Sequence, residues 1–137
     1  DAGSGSLEQM ALAEFCKENF NSHVKTLTNK LQKKSEAICN ALDKYFGSSA
    51  EYKKPDGGIF VWVDMHKKVD TSRLYELALK DGVAINPGNE WSINKSGRHK
   101  MRLCFGNPSI KEIDEGIKRL AIICRKEFGI PTKIANL

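Results

Sequence analysis

Between Val24 and Tyr45 the apolar positions Val24, Leu27, Leu31, Ile38, Leu42 and Tyr45 follow spacings of three, four and seven. That pattern is one apolar stripe on a helix of about two dozen residues, closed at Gly47. No second helix of equal length is available to cover it, so the stripe predicts packing along another domain. An isolated coiled coil is excluded, because Lys34 and Ser35 break the stripe. Upstream, Leu7, Met10, Ala11, Ala13 and Phe15 predict a separate, shorter helix ending near Phe20. "FNSH" then interrupts the pattern, with Asn21 or Ser22 as the new N-cap.

The rest of the chain alternates strands and helices. "KKPDGG" is a turn by its proline and paired glycines. "IFVWV", Ile59 to Val63, is a continuous apolar run and predicts a strand buried on both faces. Asp70 caps a helix whose inner face is Leu74, Leu77 and Ala78 and which stops at Gly82. "VAI", Val83 to Ile85, predicts a short strand ending at Pro87-Gly88. A polar loop covers 89–99, and Lys100 to Phe105 form another strand. Ser109 and Glu112 make the capping-box pattern S-x-x-E. Ile113, Ile117, Leu120, Ala121 and Cys124 stripe the last helix. The tail "GIPTKIANL" is irregular. The result is an α/β sandwich, helices against a small sheet.

Composition narrows the function classes. With 137 residues, 40% hydrophobic and 28% charged, the chain is long enough for one globular, soluble domain with a real core. No run approaches the roughly 18 apolar residues of a membrane span. The opening "DAGSGS" reads like the middle of a longer protein or an engineered scar. The net charge of +5 is spread over scattered lysines ("QKK", "YKK", "HKK") with acids between them, which points to solvated faces and not to a nucleic-acid surface. Cys16, Cys39, Cys104 and Cys124 have no metal-ligand spacing, so no metal site is expected. Each lies in an apolar helical or strand context, as reduced, buried cysteines of a cytoplasmic protein do.

Few groups suggest chemistry. His23, His66 and His99 stand in unrelated contexts without a Ser or Cys partner, which argues against a triad. "SINK", Ser92 to Lys95, matches S-x-x-K in letters but sits in a polar loop, not at a helix start. "GSGS" precedes a helix, and helix N-termini attract phosphate, a weak signal by itself. Arg102 differs. Met101, Leu103 and Phe105 alternate on one face of their strand, so Arg102 points to the other face with Cys104. It is either an edge-strand arginine in water or paired with Asp64 or Glu90, or a planar fork awaiting a carboxylate.

"KPDGGIFVWVDM", "VDTSRLYELALKDGVAINPGNEWS" and "MRLCFGNPSIKEIDEGIKRLAIIC" together resemble the C-terminal small domain of fold-type I pyridoxal-phosphate aminotransferases, class I/II. The order fits: a P-x-G-G turn and strand, a helix closed by "GV", a "PG" loop, then an R-L-x-F strand and a capped helix. The set is most similar to 2-aminoadipate and aromatic aminotransferases. Residues 52–127 carry the motifs, and the helices of 7–46 resemble the segment linking large and small domains.

The resemblance implies an α+β small domain: a long interdomain helix, then a small sheet of three to four strands with helices packed on it. It divides the chain into 1–46, the interdomain loop and helices, and 47–137, the small domain. It implies that Arg102 binds the substrate α-carboxylate. It places Pro87, Gly88 and Trp91 toward the substrate side-chain end, lets Gly58 bring the backbone close at the domain junction, and puts Ser4 and Ser6 near a dimer interface and the cofactor phosphate. The Schiff-base lysine, and the large domain that binds pyridoxal phosphate, lie outside this chain, which is therefore expected to be inactive alone. The parent is expected to be a cytoplasmic homodimer acting on amino acids and 2-oxo acids. A ligand-sensing domain of a transcription regulator, or a β-lyase or synthase of the same fold, is the alternative.

Overall fold

A computed structural model describes residues 3–94 and 96–133. By its internal contacts the chain divides into two units, Asp1–Lys30 and Leu31–Leu137. One helix, α1 (Ser6–Tyr45), supplies most of the first unit and the opening of the second. It is followed by β1 (Ala50–Tyr52), β2 (Phe60–Met65), α2 (Thr71–Lys80), β3 (Asn86–Pro87), β4 (Lys100–Cys104) and α3 (Ile110–Phe128).

The break expected at "FNSH" does not occur. The polar side chains there bond back along the helix: Asn19 Nδ2 donates to the Phe15 carbonyl at 3.0 Å, Ser22 Oγ to Asn19 at 3.0 Å, and Thr26 Oγ1 to Ser22 at 2.9 Å. A hydroxyl spent on its own helix's carbonyls does not cap a new one. The stripe divides in burial: Ile38, Leu42 and Tyr45 are buried, whereas Val24 and Leu27 are 41% and 45% exposed.

The second unit is an α+β sandwich. Its four-stranded antiparallel sheet has the order β1-β2-β4-β3. Val61, Val63 and Met65 of β2 and Met101 and Leu103 of β4 join one core cluster with Ile38 and Leu42 of α1, Leu74 and Ala78 of α2, and Ile113, Ile117, Leu120 and Cys124 of α3. All three helices thus contribute to covering a single face of the sheet.

Two expectations for the strands are corrected. β2 is not buried on both faces: Phe60 and Trp62 are 39% and 40% exposed while Val61 and Val63 are sealed. A continuous apolar run does not reveal which of its faces the core uses. The short strand is Asn86–Pro87, not Val83 to Ile85, because Val83 is spent ending α2. Its N–H donates to the Ala78 carbonyl and that of Gly82 to Leu79, a Schellman closure with Gly82 at φ +74°. β1, three residues long, carries too little periodicity to be anticipated.

Both predicted caps are present. Asp70 accepts from the Ser72 and Arg73 N–H groups. Ser109 Oγ accepts from the Glu112 N–H, and Glu112 accepts from the Ser109 N–H at 2.7 Å. Those bonds to Ser109 hold the Glu112 carboxyl below the usual carboxylate range. Ser109→Ala is expected to cost about 1 kcal/mol in urea unfolding at neutral pH. A carboxyl lowered in the folded state stabilises above its unfolded pKa and loses that contribution as pH falls through the folded one. That part of the stability should therefore fall in acid in the wild type and in Ser109→Ala alike, since alanine keeps the backbone N–H that Glu112 accepts from. Within the tail, Lys133 N–H bonds the Tyr45 carbonyl and Ile130 is buried, while 134–137 lie outside the described residues.

Candidate functional site

The open face of the sheet is set by strand register. Arg102 lies opposite Trp62 on one neighbour and opposite Asn86 on the other. Strand alternation places Phe60, Trp62, Asp64, Asn86, Lys100, Arg102 and Cys104 on this face, away from the core. Arg102 thus does leave the apolar face of its strand, as the alternation of Met101, Leu103 and Phe105 requires.

Its surroundings are aromatic, not acidic. The guanidinium Cζ stands 4.1 Å from the Phe60 ring centroid and 3.9 Å from that of Trp91. The Nε atom is buried and has no hydrogen-bond partner. The pairing considered with Asp64 is not made. Asp64 is engaged by Lys100 at 3.0 Å and His99 at 3.3 Å. Glu90 is exposed, and no ion pair to Arg102 is found among the described residues.

The elements that hold Arg102 are themselves fixed. Lys34 Nζ donates to the Gly106 carbonyl at 2.8 Å and to that of Asn107 at 3.2 Å. The residue that breaks the helical stripe is thus the one that ties α1 to the exit of β4. On the other side, Gly88 is buried against the 97–100 segment. A Cβ there would stand 2.5 Å from the Gly97 carbonyl oxygen and 2.7 Å from that of Lys100. Only glycine permits that approach, and the 3₁₀ turn it opens, Gly88–Trp91, delivers the Trp91 ring. Pro87 is buried opposite Met101, so of the three residues of the "PG" loop segment only Trp91 meets Arg102.

The other expected residues are each placed by their own local contacts. Ser4 and Ser6 belong to the first unit, where Ser4 gives its carbonyl to Gln9 Nε2 and Ser6 opens α1. Gly58 has φ +77° with nothing within 4 Å of a would-be Cβ, so the turn itself demands it. Lys95 of "SINK" lies outside the described residues. The cysteines are not uniformly buried: Cys39 and Cys124 are, Cys16 is half-buried and Cys104 is exposed. Burial pushes the Cys124 thiol up to about 12, which makes it inert. Phe60, Trp62 and Asn86 were not singled out from the sequence. The signal for Phe60 and Trp62 was the even spacing Phe60-Trp62-Asp64, which antiparallel pairing places beside Arg102.

A concavity lined by Ile38, Val83, Ala84, Asn107, Ser109 and Gly116 among others does not include Arg102. Three of the charged groups that line it are engaged: Glu112 in the capping box, and Arg119 with Glu115 at 3.1 Å and the Asp81 carbonyl at 2.8 Å. Among the described residues no group of three or more His, Cys, Asp or Glu is placed to hold a metal, and no helix is long and apolar enough to cross a membrane.

Arg102 thus has no acid partner among the described residues and stands against a ring of the turn that follows Pro87. The sequence pattern of aminotransferase class I and II matches residues 2–120. The chain belongs to that family. As a class I and II aminotransferase chain it is 31% identical over 120 residues to the 2-aminoadipate transaminase of Thermus thermophilus, covering 88% of this chain and 30% of that protein. It is 32% identical over 127 residues to an uncharacterized HTH-type transcriptional regulator of Bacillus subtilis, covering 92% and 26%. Its fold superposes on the crystal structure of the Thermus thermophilus α-aminoadipate aminotransferase complexed with N-(5'-phosphopyridoxyl)-L-leucine. The TM-score is 0.83 at 29% identity, over 92% of this chain and 32% of that one. This aminotransferase chain therefore spans about a third or less of these relatives.

The family uses pyridoxal phosphate. The described residues do not fit as its seat. No described lysine is buried, and Lys34, one of the few half-buried ones, is occupied by two carbonyls. A lysine that carries a carbonyl cofactor needs a desolvated or cation-flanked amine. What this sheet face carries instead is a half-buried guanidinium stacked on two rings.

Proposed function

We propose that this chain is the C-terminal part of a pyridoxal-phosphate-dependent aminotransferase, in which Arg102 binds the α-carboxylate of amino acid and 2-oxo acid substrates. The carrying observation is the Arg102 guanidinium, which is half-buried and stacked on two rings with Nε unpartnered. A planar fork donating two parallel N–H bonds fixes both the position and the rotation of a carboxylate. Orienting the reacting carbon in this way is worth several kcal/mol of barrier. In this reading 47–137 is the small domain and 1–46 the link to the remainder of the parent. That remainder supplies the lysine and the cofactor site, so the chain alone is inactive. Trp91, on the turn made by Pro87 and Gly88, borders the substrate side chain. Ser4 and Ser6 face a homodimer interface, and the parent is cytoplasmic.

The identity to a transcription regulator over most of the chain supports a second reading, in which Arg102 holds the carboxylate of a sensed ligand without turnover. One experiment separates the two. Full-length protein is given a panel of L-amino acids with a 2-oxo acid acceptor, and the corresponding amines that lack the α-carboxylate. Transfer from amino acids, with amines at least about 100-fold poorer in kcat/KM, is the expected result, matching the loss of one charge-assisted bidentate contact. Equal turnover of amines would remove the carboxylate role. Amino acid binding without transfer would select the regulator.

A further inference from the structure

We propose that Phe60 and Trp91 are positioning residues for Arg102: their rings hold the guanidinium by its faces and leave its terminal N–H edge free for the substrate carboxylate. This rests on the reading of Arg102 given above.

An arginine on an open sheet face is a long, flexible cation, and it must be held if it is to orient anything. The usual restraint is an acid. A carboxylate beside Arg102 would fix it, yet it would also take the N–H edge and cancel the charge a substrate anion needs. An aromatic ring attracts a cation through its face and takes none of the donors in the guanidinium plane. The structure has the second arrangement. The two ring centroids lie 4.1 and 3.9 Å from Cζ. Phe60 comes from β2 and Trp91 from the turn after β3, the two strands that flank β4 on opposite sides. The acid that could compete, Asp64, is held away by Lys100 and His99. Nε itself is buried and unpartnered, so the edge offered to a carboxylate is the terminal one.

The local structure agrees with this division of labour. The buried Gly88 sets the path of the turn, so the Trp91 ring is delivered by backbone geometry and not by core packing. Trp91 is 55% exposed and Phe60 is 39% exposed, so neither ring is a core element. Substituting them should leave the fold intact.

The test uses full-length protein with the L-amino acid it transfers fastest. Trp91→Leu and Phe60→Leu keep apolar bulk and remove the ring; Trp91→Phe and Phe60→Tyr keep a ring. All are made with Arg102 intact and again in Arg102→Ala. Each leucine variant is expected to raise KM about fivefold with kcat little changed, as loss of one cation–π contact predicts. The ring-keeping variants should recover most of that loss. In Arg102→Ala, Phe60→Leu should add nothing, because the group it positions is gone, and Trp91→Leu should add less than it does with Arg102 intact. Wild-type KM in both leucine variants, or an equal loss in both backgrounds, overturns the positioning role while leaving Arg102 in the site. If Arg102→Ala itself leaves KM unchanged, the carboxylate reading fails first, and the positioning role with it.

Discussion

Arg102→Ala in the full-length protein is expected to lower kcat/KM for amino acids by about 10²–10³-fold, while the absorbance of the bound cofactor stays as in the wild type. Truncating one partner of a hydrogen-bonded charge pair costs about 2–5 kcal/mol, and 1.36 kcal/mol is a factor of ten. Arg102 has no protein acid to fall back on, since Asp64 is committed to Lys100 and His99. Its whole interaction is therefore available to the substrate. Arg102→Lys should recover only part of the loss, mostly as a raised KM. An ammonium keeps the charge but not the planar fork, and it stacks less well on Phe60 and Trp91. Steady-state kinetics beside a cofactor absorbance spectrum make the measurement. Unchanged substrate kinetics would take Arg102 out of the site.

Leu42→Ala is expected to destabilise the chain by about 3 kcal/mol in urea unfolding, through lost transfer energy and the cavity left behind. Leu42 is fully buried in the core that the second half of α1 shares with the sheet, α2 and α3. Alanine is a better helix former than leucine, so propensity cannot be the cause of the loss. Leu12→Ala on the same helix is the control. Leu12 is 62% exposed, and a surface substitution of this kind changes stability by about 0.5 kcal/mol or less. Equal effects at the two positions would contradict the division of α1 into an exposed first part and a core-forming second part.

Much of the architecture was legible because it is written in local chemistry. The caps at Asp70 and Ser109 and the glycine stop after α2 are read from single side chains satisfying single backbone groups. The core faces of β4 and α3 are read from periods of two and 3.6. The misreadings have equally local causes. "FNSH" looks like an interruption, but Asn19, Ser22 and Thr26 turn their side chains back onto carbonyls of their own helix. "VAI" looks like a strand, but the Val83 N–H is needed to close α2. "IFVWV" looks doubly buried, yet Phe60 and Trp62 serve the open face beside Arg102.

The sequence by itself determined the order of elements from β2 to α3, the face of β4 that Arg102 leaves the core by, and the motif set that places the chain in its family. Periodicity and capping are one-dimensional properties, and they survive without knowledge of the fold. What holds Arg102 was decided only in three dimensions. Asp64 and Glu90 were as eligible as any partners along the chain. Antiparallel register put Trp62 and Asn86 beside the arginine, Lys34 anchored the loop beyond it, and the buried Gly88 set the turn that brings the Trp91 ring within 3.9 Å. The choice of two rings over an acid depends on distances between residues tens of positions apart, and that choice leaves the charge of the arginine free for a ligand.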